Sequence, residues 1–178
     1  GSLGDIAFSI LAMASIKQFF NNATIDLLTE EKYVNFLSNS NYFNLIFKDN
    51  RKGIIDSLKV ILKINQNKYD LIIDLQNSKR TNNYWSFLKF ISAVKVNGSR
   101  SNCDIQYVIP PQGTESPQQG LYNQLKLLGV NEINQNVDWL SRDITAINED
   151  KIILMIPGVS KSGKGKQWSP DKFAILAS

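Results

Sequence analysis

The chain has 178 residues, of which 43% are hydrophobic and 20% charged, so it can bury the core of one domain or of one domain and part of another. Its 20 basic and 16 acidic residues give a net charge of +4, and because the lysines are scattered along the chain, the composition disfavours nucleic-acid binding. The single cysteine, Cys103, excludes an internal disulfide and indicates a reducing compartment, and the absence of histidine excludes the commonest zinc ligand and general base.

The chain opens on a glycine-containing stretch, residues 1–5, that we expect to form a turn at the start of a helix over residues 5–20. This helix is apolar on nearly every side, which predicts burial against a sheet. A turn of this kind normally follows a buried strand, and the chain begins at the turn without a methionine. We therefore expect the chain to be a fragment that lacks its first strand.

From residue 24 to residue 128, short strand-like runs alternate with helix-like runs. The predicted strands are 24–28, 45–47, 69–75 and 94–96. The predicted helices are 30–37, 53–66, 81–91 and 121–128, the last of them capped by Gly129. Strands and helices in this order predict a parallel, doubly wound α/β sheet.

The end of the chain predicts the beginning of a second domain. Residues 131–150 are polar and weakly patterned, as in a linker, whereas 151–156 are typical of a buried strand and Ser169-Pro170 of a helix start. We therefore divide the chain into an N-terminal α/β domain over 1–130, a linker over 131–150, and the first strand, loop and helix of a Rossmann-like domain over 151–178.

Asp5 is the first candidate for chemistry. A carboxylate at the mouth of a strand-to-helix turn could remove a proton from a sugar hydroxyl, and the amides of a helix N-terminus, which Gly4 leaves accessible, favour anionic ligands. The alternative is that Asp5 only stabilises the helix dipole from the first turn.

A polar segment, residues 74–82, follows the predicted strand 69–75 and is the second candidate. Ligands of open α/β sheets bind beyond the carboxyl ends of the strands, where the side chains of Gln76 and Arg80 could hold an anionic, polyhydroxylated acceptor. Arg51 and Arg100 also follow predicted strands. The alternative is a solvated loop in which Thr81 caps the next helix.

The third candidate is the loop after strand 151–156, in which small residues and lysines could bind a nucleotide diphosphate. Residues 158–164 fit the P-loop spacing G-x-x-x-x-G-K, but Gly165 stands where a P-loop needs a hydroxyl for magnesium. The next helix also starts near Ser169 rather than at Lys164, so we reject a P-loop. The alternative to a binding loop is a flexible, solvated segment.

Taken in order, these segments resemble glycosyltransferase family nine, the ADP-heptose:lipopolysaccharide heptosyltransferases. The resembling stretches are Ser2-Leu3-Gly4-Asp5-Ile6, residues 69–76, residues 121–130, Pro157-Gly158, and residues 166–174. The resemblance implies a GT-B fold, with the acceptor on the N-terminal domain and the nucleotide-sugar on the C-terminal domain. It also implies an inverting transfer that needs neither a metal nor another cofactor, with the nucleotide-sugar, expected to be ADP-heptose, as co-substrate.

The same resemblance implies roles for individual residues. Asp5 matches the general base that activates the acceptor hydroxyl, and Lys166 matches the lysine that neutralises the leaving diphosphate. The donor-side matches are Gly4, Gly158 and Ser160, together with Lys166. The acceptor-side matches are Arg51, Gln76, Arg80 and Arg100. With its donor site incomplete, the fragment alone is expected to be inactive.

The expected partners are therefore a nucleotide-sugar donor and an anionic glycolipid acceptor. No apolar run reaches the roughly 20 residues of a membrane helix, so we expect a cytoplasmic protein that touches the inner membrane only peripherally. Two alternatives stay open. One is a GT-B transferase with another nucleotide-sugar donor, and the other is a nucleotide-binding α/β module without transfer activity, although residues 1–5 lack a complete G-x-G-x-x-G.

Overall fold

The computed structural model describes residues 3–141, 155, 158–159, 165 and 167–177. Contacts within the chain divide it into two units, Gly1–Ser141 and Arg142–Ser178. The predicted strand 151–156 lies outside the described residues, except for Met155. The predicted division at 130 and 150 stays a prediction.

The first unit alternates helices and strands along the chain. Its helices are α1 (Leu3–Phe19), α2 (Glu31–Leu37), α3 (Ile54–Gln66), α4 (Lys79–Ile91) and α5 (Pro117–Lys126), and short 3₁₀ turns cover Ser38–Ser40 and Asp138–Leu140. Its strands are β1 (Leu27–Glu30), β2 (Ile46–Asp49), β3 (Leu71–Ile73), β4 (Lys95–Gly98) and β5 (Ile105–Gln106). In the second unit, α6 spans Pro170–Ala177, which confirms the predicted helix start.

All strand pairs in the described part of the chain are parallel. β1 pairs with β2, with Leu27 opposite Ile46, and β4 lies between β3 and β5, with Leu71 opposite Lys95. The strands thus form a two-stranded and a three-stranded sheet, whereas the sequence predicted one sheet. A cavity of about 1410 Å³ is lined by residues along both β1 and β3.

Neighbouring residues of a strand point to opposite sides of the sheet. Helices cover both sides, so these residues pack into different cores. Leu28 and Ile72 pack against a core that contains Ile61, Leu88 and Val96. Leu27 packs on the opposite side, against the core of α1 and α2. Together with Ile73, which packs near α1 and α5, this alternation confirms the predicted doubly wound α/β architecture.

Aspartate side chains make β1 start later, and β3 end earlier, than the sequence predicted. Asp26 accepts a hydrogen bond from the Leu45 amide (2.9 Å) and another from the Tyr69 hydroxyl, so β1 begins only at Leu27. Burial, together with the bond to Asp26, raises the pKa of Tyr69. At the other end of β3, the Asp74 carboxylate binds the amides of the following loop and the strand stops at Ile73.

The helix starts also differ from the sequence-based boundaries. Residues 3–5 already belong to α1, so the predicted turn at Gly4-Asp5 is wrong; a glycine costs a helix only about 1 kcal/mol, and burial of the later turns outweighs it. Ser78, not Thr81, is the N-cap of α4, and the two side chains form a capping box. α5 begins at Pro117 behind the N-cap Ser116, four residues before the predicted start.

Within the described ranges, no helix combines the length and the apolar character needed to span a membrane.

Candidate functional site

The candidate site lies at the carboxyl ends of the parallel strands, where open α/β sheets bind their ligands. β1 ends at Glu30, β2 ends at Asp49, and Asp74 directly follows β3. All three of these acidic residues belong to the wall of the cavity that β1 and β3 line. Polar side chains from several distant segments therefore meet at one place.

Asp49 is the centre of the first group of polar side chains. Its residue is 6% exposed, and its carboxylate accepts two hydrogen bonds from the Arg80 guanidinium, at 2.9 and 3.2 Å. The Tyr84 hydroxyl donates to it as well, at 3.1 Å. The hydrogen bonds from Arg80 to Asp49 raise the pKa of that guanidinium, and burial raises the pKa of Tyr84. The charge of Arg80 thus mainly balances a buried carboxylate.

Arg51 connects the ends of β1 and β3. Its backbone takes a left-handed conformation (φ 56°), and its amide donates to Asp49 Oδ1 at 3.0 Å. From there its guanidinium contacts the Glu30 carboxylate at 3.1 Å and donates to Gln76 Oε1 at 3.3 Å. Arg51 and Gln76, both predicted acceptor residues, are therefore in direct contact on the wall of the cavity.

Asp74 organises the loop that carries Gln76. The residue is 4% exposed, and its Oδ1 accepts hydrogen bonds from the amides of Gln76 (3.0 Å) and Asn77 (2.9 Å). Its Oδ2 accepts from the indole of Trp85 at 2.8 Å. One carboxylate thereby fixes the loop to α4 and holds the backbone of Gln76 in place.

A buried amide from α5 completes this arrangement from the other side. Gln124 is 1% exposed; its amide nitrogen donates to the Asp74 carbonyl (3.1 Å) and to Asn97 Oδ1 (2.9 Å), and its oxygen accepts from Asn77 Nδ2 (2.8 Å). We call Asp74, Asn77, Asn97 and Gln124 the buried polar network. Such a fully bonded network is rigid, because each lost partner would leave a buried polar group unsatisfied.

Arg100, another predicted acceptor residue, contacts the same loop. Its Nε donates to the Asn77 carbonyl at 2.7 Å, while the Ser99 amide donates to Asn77 Oδ1 at 2.6 Å. Neither Arg80 nor Arg100 belongs to the wall of the cavity that Asp5, Arg51 and Gln76 line. The structure thus brings three predicted site residues to one cavity and places two more in the hydrogen-bonded groups around it.

Asp5 lies in the first turn of α1 and is exposed. Its carbonyl accepts a hydrogen bond from the Ser9 hydroxyl at 2.8 Å, an ordinary contact within a helix. Gly4 occupies the same turn and is also exposed. Asp5 is also one of the residues that line the cavity, as are Arg51 and Gln76.

The predicted donor side belongs to the second unit. Gly158 is exposed, whereas Ser160 and Lys166 lie outside the described residues. The roles of Gly4, Gly158, Ser160 and Lys166 in donor binding stay predictions. In the parts of the chain that the structure describes, no group of three acidic, cysteine or histidine residues is arranged to hold a metal ion.

Sequence reasoning missed Asp49, Asn97 and Gln124 as parts of the site. Asp49 ends a strand at the ligand-binding edge, and this position was a usable signal. Asn97 follows a predicted strand, so the sequence indicates only that the strand ends there. Gln124 lies inside a helix, 50 residues from its partner Asp74, and no local pattern connects the two. Only the folded chain shows that these amides are buried together.

Gly98 offers a test of how tightly this edge is packed. A Cβ added there would lie 2.9 Å from Cys103 Sγ and 3.0 Å from Asn77 Oδ1, and the latter atom is held by a hydrogen bond from the Ser99 amide. We expect Gly98→Ala to lower the free energy of unfolding by about 1–3 kcal/mol, measured by urea denaturation. Gly158→Ala, where no atom of the described residues lies within 4 Å, is the control and should change stability little. Equal stability of both variants would contradict the tight packing.

Two comparisons with known proteins find relatives of one kind. The chain is 34% identical over 79 residues to lipopolysaccharide heptosyltransferase 1 of Campylobacter coli, a match over 42% of this chain and 22% of that protein. It is also similar to the crystal structure of a glycosyl transferase family 9 protein from Veillonella parvula, with a TM-score of 0.62 and 21% identity over 73% of this chain and 40% of that one. No family model matches.

These similarities confirm the resemblance to glycosyltransferase family nine, and the structural match confirms the expected GT-B type of fold for the part it covers. The chain spans about a fifth of the curated relative and two fifths of the solved structure.

Proposed function

We propose that this chain is the acceptor-binding part of an inverting glycosyltransferase. The enzyme would transfer a heptose or a related sugar from an ADP-sugar to a lipopolysaccharide core or a related surface glycan. The observations that carry the proposal are the contact between Arg51 and Gln76 beyond the ends of the strands and the position of Asp5 in the wall of the cavity that both of them line. The similarity to a lipopolysaccharide heptosyltransferase supports the choice of sugar and acceptor.

In this proposal, Asp5 is the general base. Its carboxylate takes the proton of an acceptor hydroxyl while the hydroxyl oxygen forms a bond to the anomeric carbon of the donor sugar. The bond from that carbon to the nucleoside diphosphate breaks on the opposite face, so the configuration inverts. Asp5 ends protonated, and the diphosphate leaves with the electron pair of the broken bond.

Arg51 and Gln76 would hold the acceptor for this step. Arg51 contacts Glu30 and Gln76, so its guanidinium stays at the cavity wall, and the planar fork of N–H donors suits phosphate or carboxylate oxygens of an anionic glycolipid. Gln76 offers an amide, which matches sugar hydroxyls. Arg80 and Arg100 would support the acceptor site indirectly. Arg80 holds Asp49, and Arg100 holds the loop that contains Asn77.

The test of this function is the identity of the nucleotide that the intact enzyme binds. We expect ADP-sugars to raise its melting temperature, because a ligand that binds only the folded state stabilises it. An acceptor glycolipid should then cause release of ADP. Protection by UDP-sugars alone would favour the transferase with another donor, and protection by NAD alone would support a nucleotide-binding module and contradict the proposal.

Lys166 provides a prediction specific to the donor side. Lys166→Ala should weaken nucleotide-sugar binding about tenfold or more, since a charge-assisted bond to the diphosphate is lost. Titration calorimetry of the intact enzyme measures this affinity. Lys126→Ala, which removes an exposed lysine from the end of α5, is the control and should bind the donor normally. Unchanged affinity in the Lys166 variant would exclude this role.

A further inference from the structure

β1 and β3 each pair with another strand on one side. Among the described residues, β1 pairs with β2 and β3 pairs with β4, and no strand pairing joins β1 to β3. Every strand has two edges, and an edge without a partner strand presents N–H and C=O groups that can bond another segment of chain. Each of these two strands therefore has a second edge that no described strand covers.

Backbone hydrogen bonds show which amides belong to these second edges. The Leu27 amide donates to the Leu45 carbonyl at 2.9 Å, on the side of β2. The Asp74 amide donates to the Asn97 carbonyl at 2.8 Å, on the side of β4. Successive N–H groups of a strand point to alternate edges. The amides that point to the second edges are therefore those of Leu28, Leu71 and Ile73.

The cavity follows both second edges. Its lining includes every residue from 24 to 30 and every residue from 67 to 78, whereas none of the β4 residues 95–98 belongs to it. Neighbouring residues of a strand point to opposite faces, so a cavity over one face would touch only every second residue. A cavity that touches all of them follows an edge, and for β3 this is the edge opposite β4.

Side-chain bonds connect β1 and β3 at both of their ends. Before the strands, the Tyr69 hydroxyl donates to the Asp26 carboxylate. Beyond them, Arg51 contacts Glu30 at 3.1 Å and donates to Gln76 Oε1 at 3.3 Å. The two strands thus run in the same direction. Strands that flank a third strand lie about 10 Å apart, which is too far for backbone hydrogen bonds but within reach of two long side chains. We call the space between the two second edges the inter-sheet gap.

Apolar cores cover the inter-sheet gap on both faces. Leu28 of β1 and Ile72 of β3 pack against one core. Leu27 of β1 and Leu75, which follows β3, pack against another core that contains Met13 of α1. A segment that filled the gap would therefore be buried on both sides. Strands of that kind are almost continuously apolar, and the sheets that contain them are almost always parallel throughout.

The size of the cavity favours a segment of polypeptide over a small molecule. Its volume of about 1410 Å³ exceeds the roughly 300–1,000 Å³ of ordinary ligand pockets. Folded domains contain few voids larger than a water molecule, because unfilled space loses packing contacts. β1 has four residues, so an extended segment of about five residues would span the gap from Asp26 to Glu30.

We propose that the inter-sheet gap binds one extended, apolar peptide segment as an additional strand, parallel to β1 and β3. The backbone of this segment bonds the second edges of both strands and joins the two sheets into one. Arg51 and Gln76 lie beyond the strand ends, so the segment leaves the acceptor side of the cavity open. The proposal does not rest on the proposed function, because binding of the segment requires neither donor nor acceptor.

Peptide binding to the 178-residue chain tests the proposal. The probe is the peptide Lys-Val-Ile-Val-Ile-Val-Lys, and the control is Lys-Val-Ile-Pro-Ile-Val-Lys, in which proline lacks a backbone N–H. We expect the probe to raise the melting temperature, because it binds only the folded state. The proline peptide should bind at least about tenfold more weakly, since a strand hydrogen bond is lost. The protein itself stays unchanged, so misfolding of a variant cannot imitate the result.

Hydrogen exchange of single amides, measured by NMR, locates the bound peptide. With the probe at ten times its dissociation constant, exchange should slow about tenfold at Leu28, Leu71 and Ile73, because only the unbound fraction exchanges. The amides of Leu27 and Asp74 already bond the neighbouring strands. They are controls within the same molecule, and their exchange should change far less.

The direction and the chemical class of the occupant have separate measurements. A nitroxide at the carboxyl end of the probe should broaden the NMR signals of Gln76 and not those of Tyr69, and the reverse would contradict a parallel strand. Equal binding of both peptides, or unchanged exchange at the three amides of the second edges, would overturn the proposal. Stabilisation by decanoate and not by the probe would also overturn it, in favour of an acyl chain. A chain that binds the probe while the intact enzyme transfers no sugar would contradict only the proposed function.

Discussion

Replacing Asp5 with asparagine is expected to lower the turnover of the active enzyme by about 10²–10⁴-fold, the usual contribution of a general base. The amide keeps the size of the side chain but cannot accept the proton of the acceptor hydroxyl. Asp5 is exposed in the first turn of α1 and lines the cavity with Arg51 and Gln76, so the substitution keeps a side chain of the same size at an exposed position. The affinity for the nucleotide-sugar should therefore stay nearly constant while turnover falls.

The measurements are steady-state kinetics for turnover and calorimetry for donor affinity. Asp138→Asn is a matched control, since Asp138 is exposed like Asp5 but begins the 3₁₀ turn Asp138–Leu140 and is not among the cavity-lining residues. It should leave both quantities unchanged. Asp5 also stands in the first helical turn, where a negative charge stabilises the helix dipole by a few tenths of a kcal/mol up to about 1 kcal/mol. Normal turnover combined with a small loss of stability would support that role alone and contradict a general base.

Apolar patterning predicted most elements of the fold because burial determines them. The α3 pattern of Ile61 and Ile64 and the near-continuous run before Asp74 placed a helix and a strand at nearly the right residues. The errors lie where polar side chains decide the boundary. Asp26 delays the start of β1, and Thr29 and Glu30 extend it toward the site, although neither is apolar.

The candidate site was predictable only in part for the same physical reason. Arg51 and Gln76 were predicted as acceptor residues because they follow strands, and the carboxyl edge of a parallel sheet brings such residues together. The partners of Arg80 and Asn77 could not be read from the sequence. Asp49 lies 31 residues before Arg80, and Gln124 lies 47 residues after Asn77. Hydrogen bonds over such distances leave no local pattern, unlike the periodicity of a helix.

The buried polar network leads to the second large effect, the loss of stability on replacing Asp74 with asparagine. The carboxylate accepts from two loop amides and from Trp85, and an asparagine has only one oxygen for these three donors. Its NH₂ group would face either Trp85 or the loop amides, leaving donors opposite donors in a site that is 4% exposed. We expect the free energy of unfolding to fall by about 2–3 kcal/mol, because hydrogen bonds to a charged group are lost without replacement.

Asp70→Asn is the matched control for this prediction. Asp70 precedes the same strand, β3, but its side chain is exposed, and its carbonyl takes part in the sheet by accepting from the Lys95 amide at 3.1 Å. Urea denaturation should therefore show little change for Asp70→Asn. In the active enzyme, Asp74→Asn should also raise KM for the acceptor more than KM for the donor, because the loop that positions Gln76 loses its anchor. Equal stability of the two variants would mean that the Asp74 carboxylate does not hold the loop, and that the contact with Arg51 alone keeps Gln76 at the cavity wall.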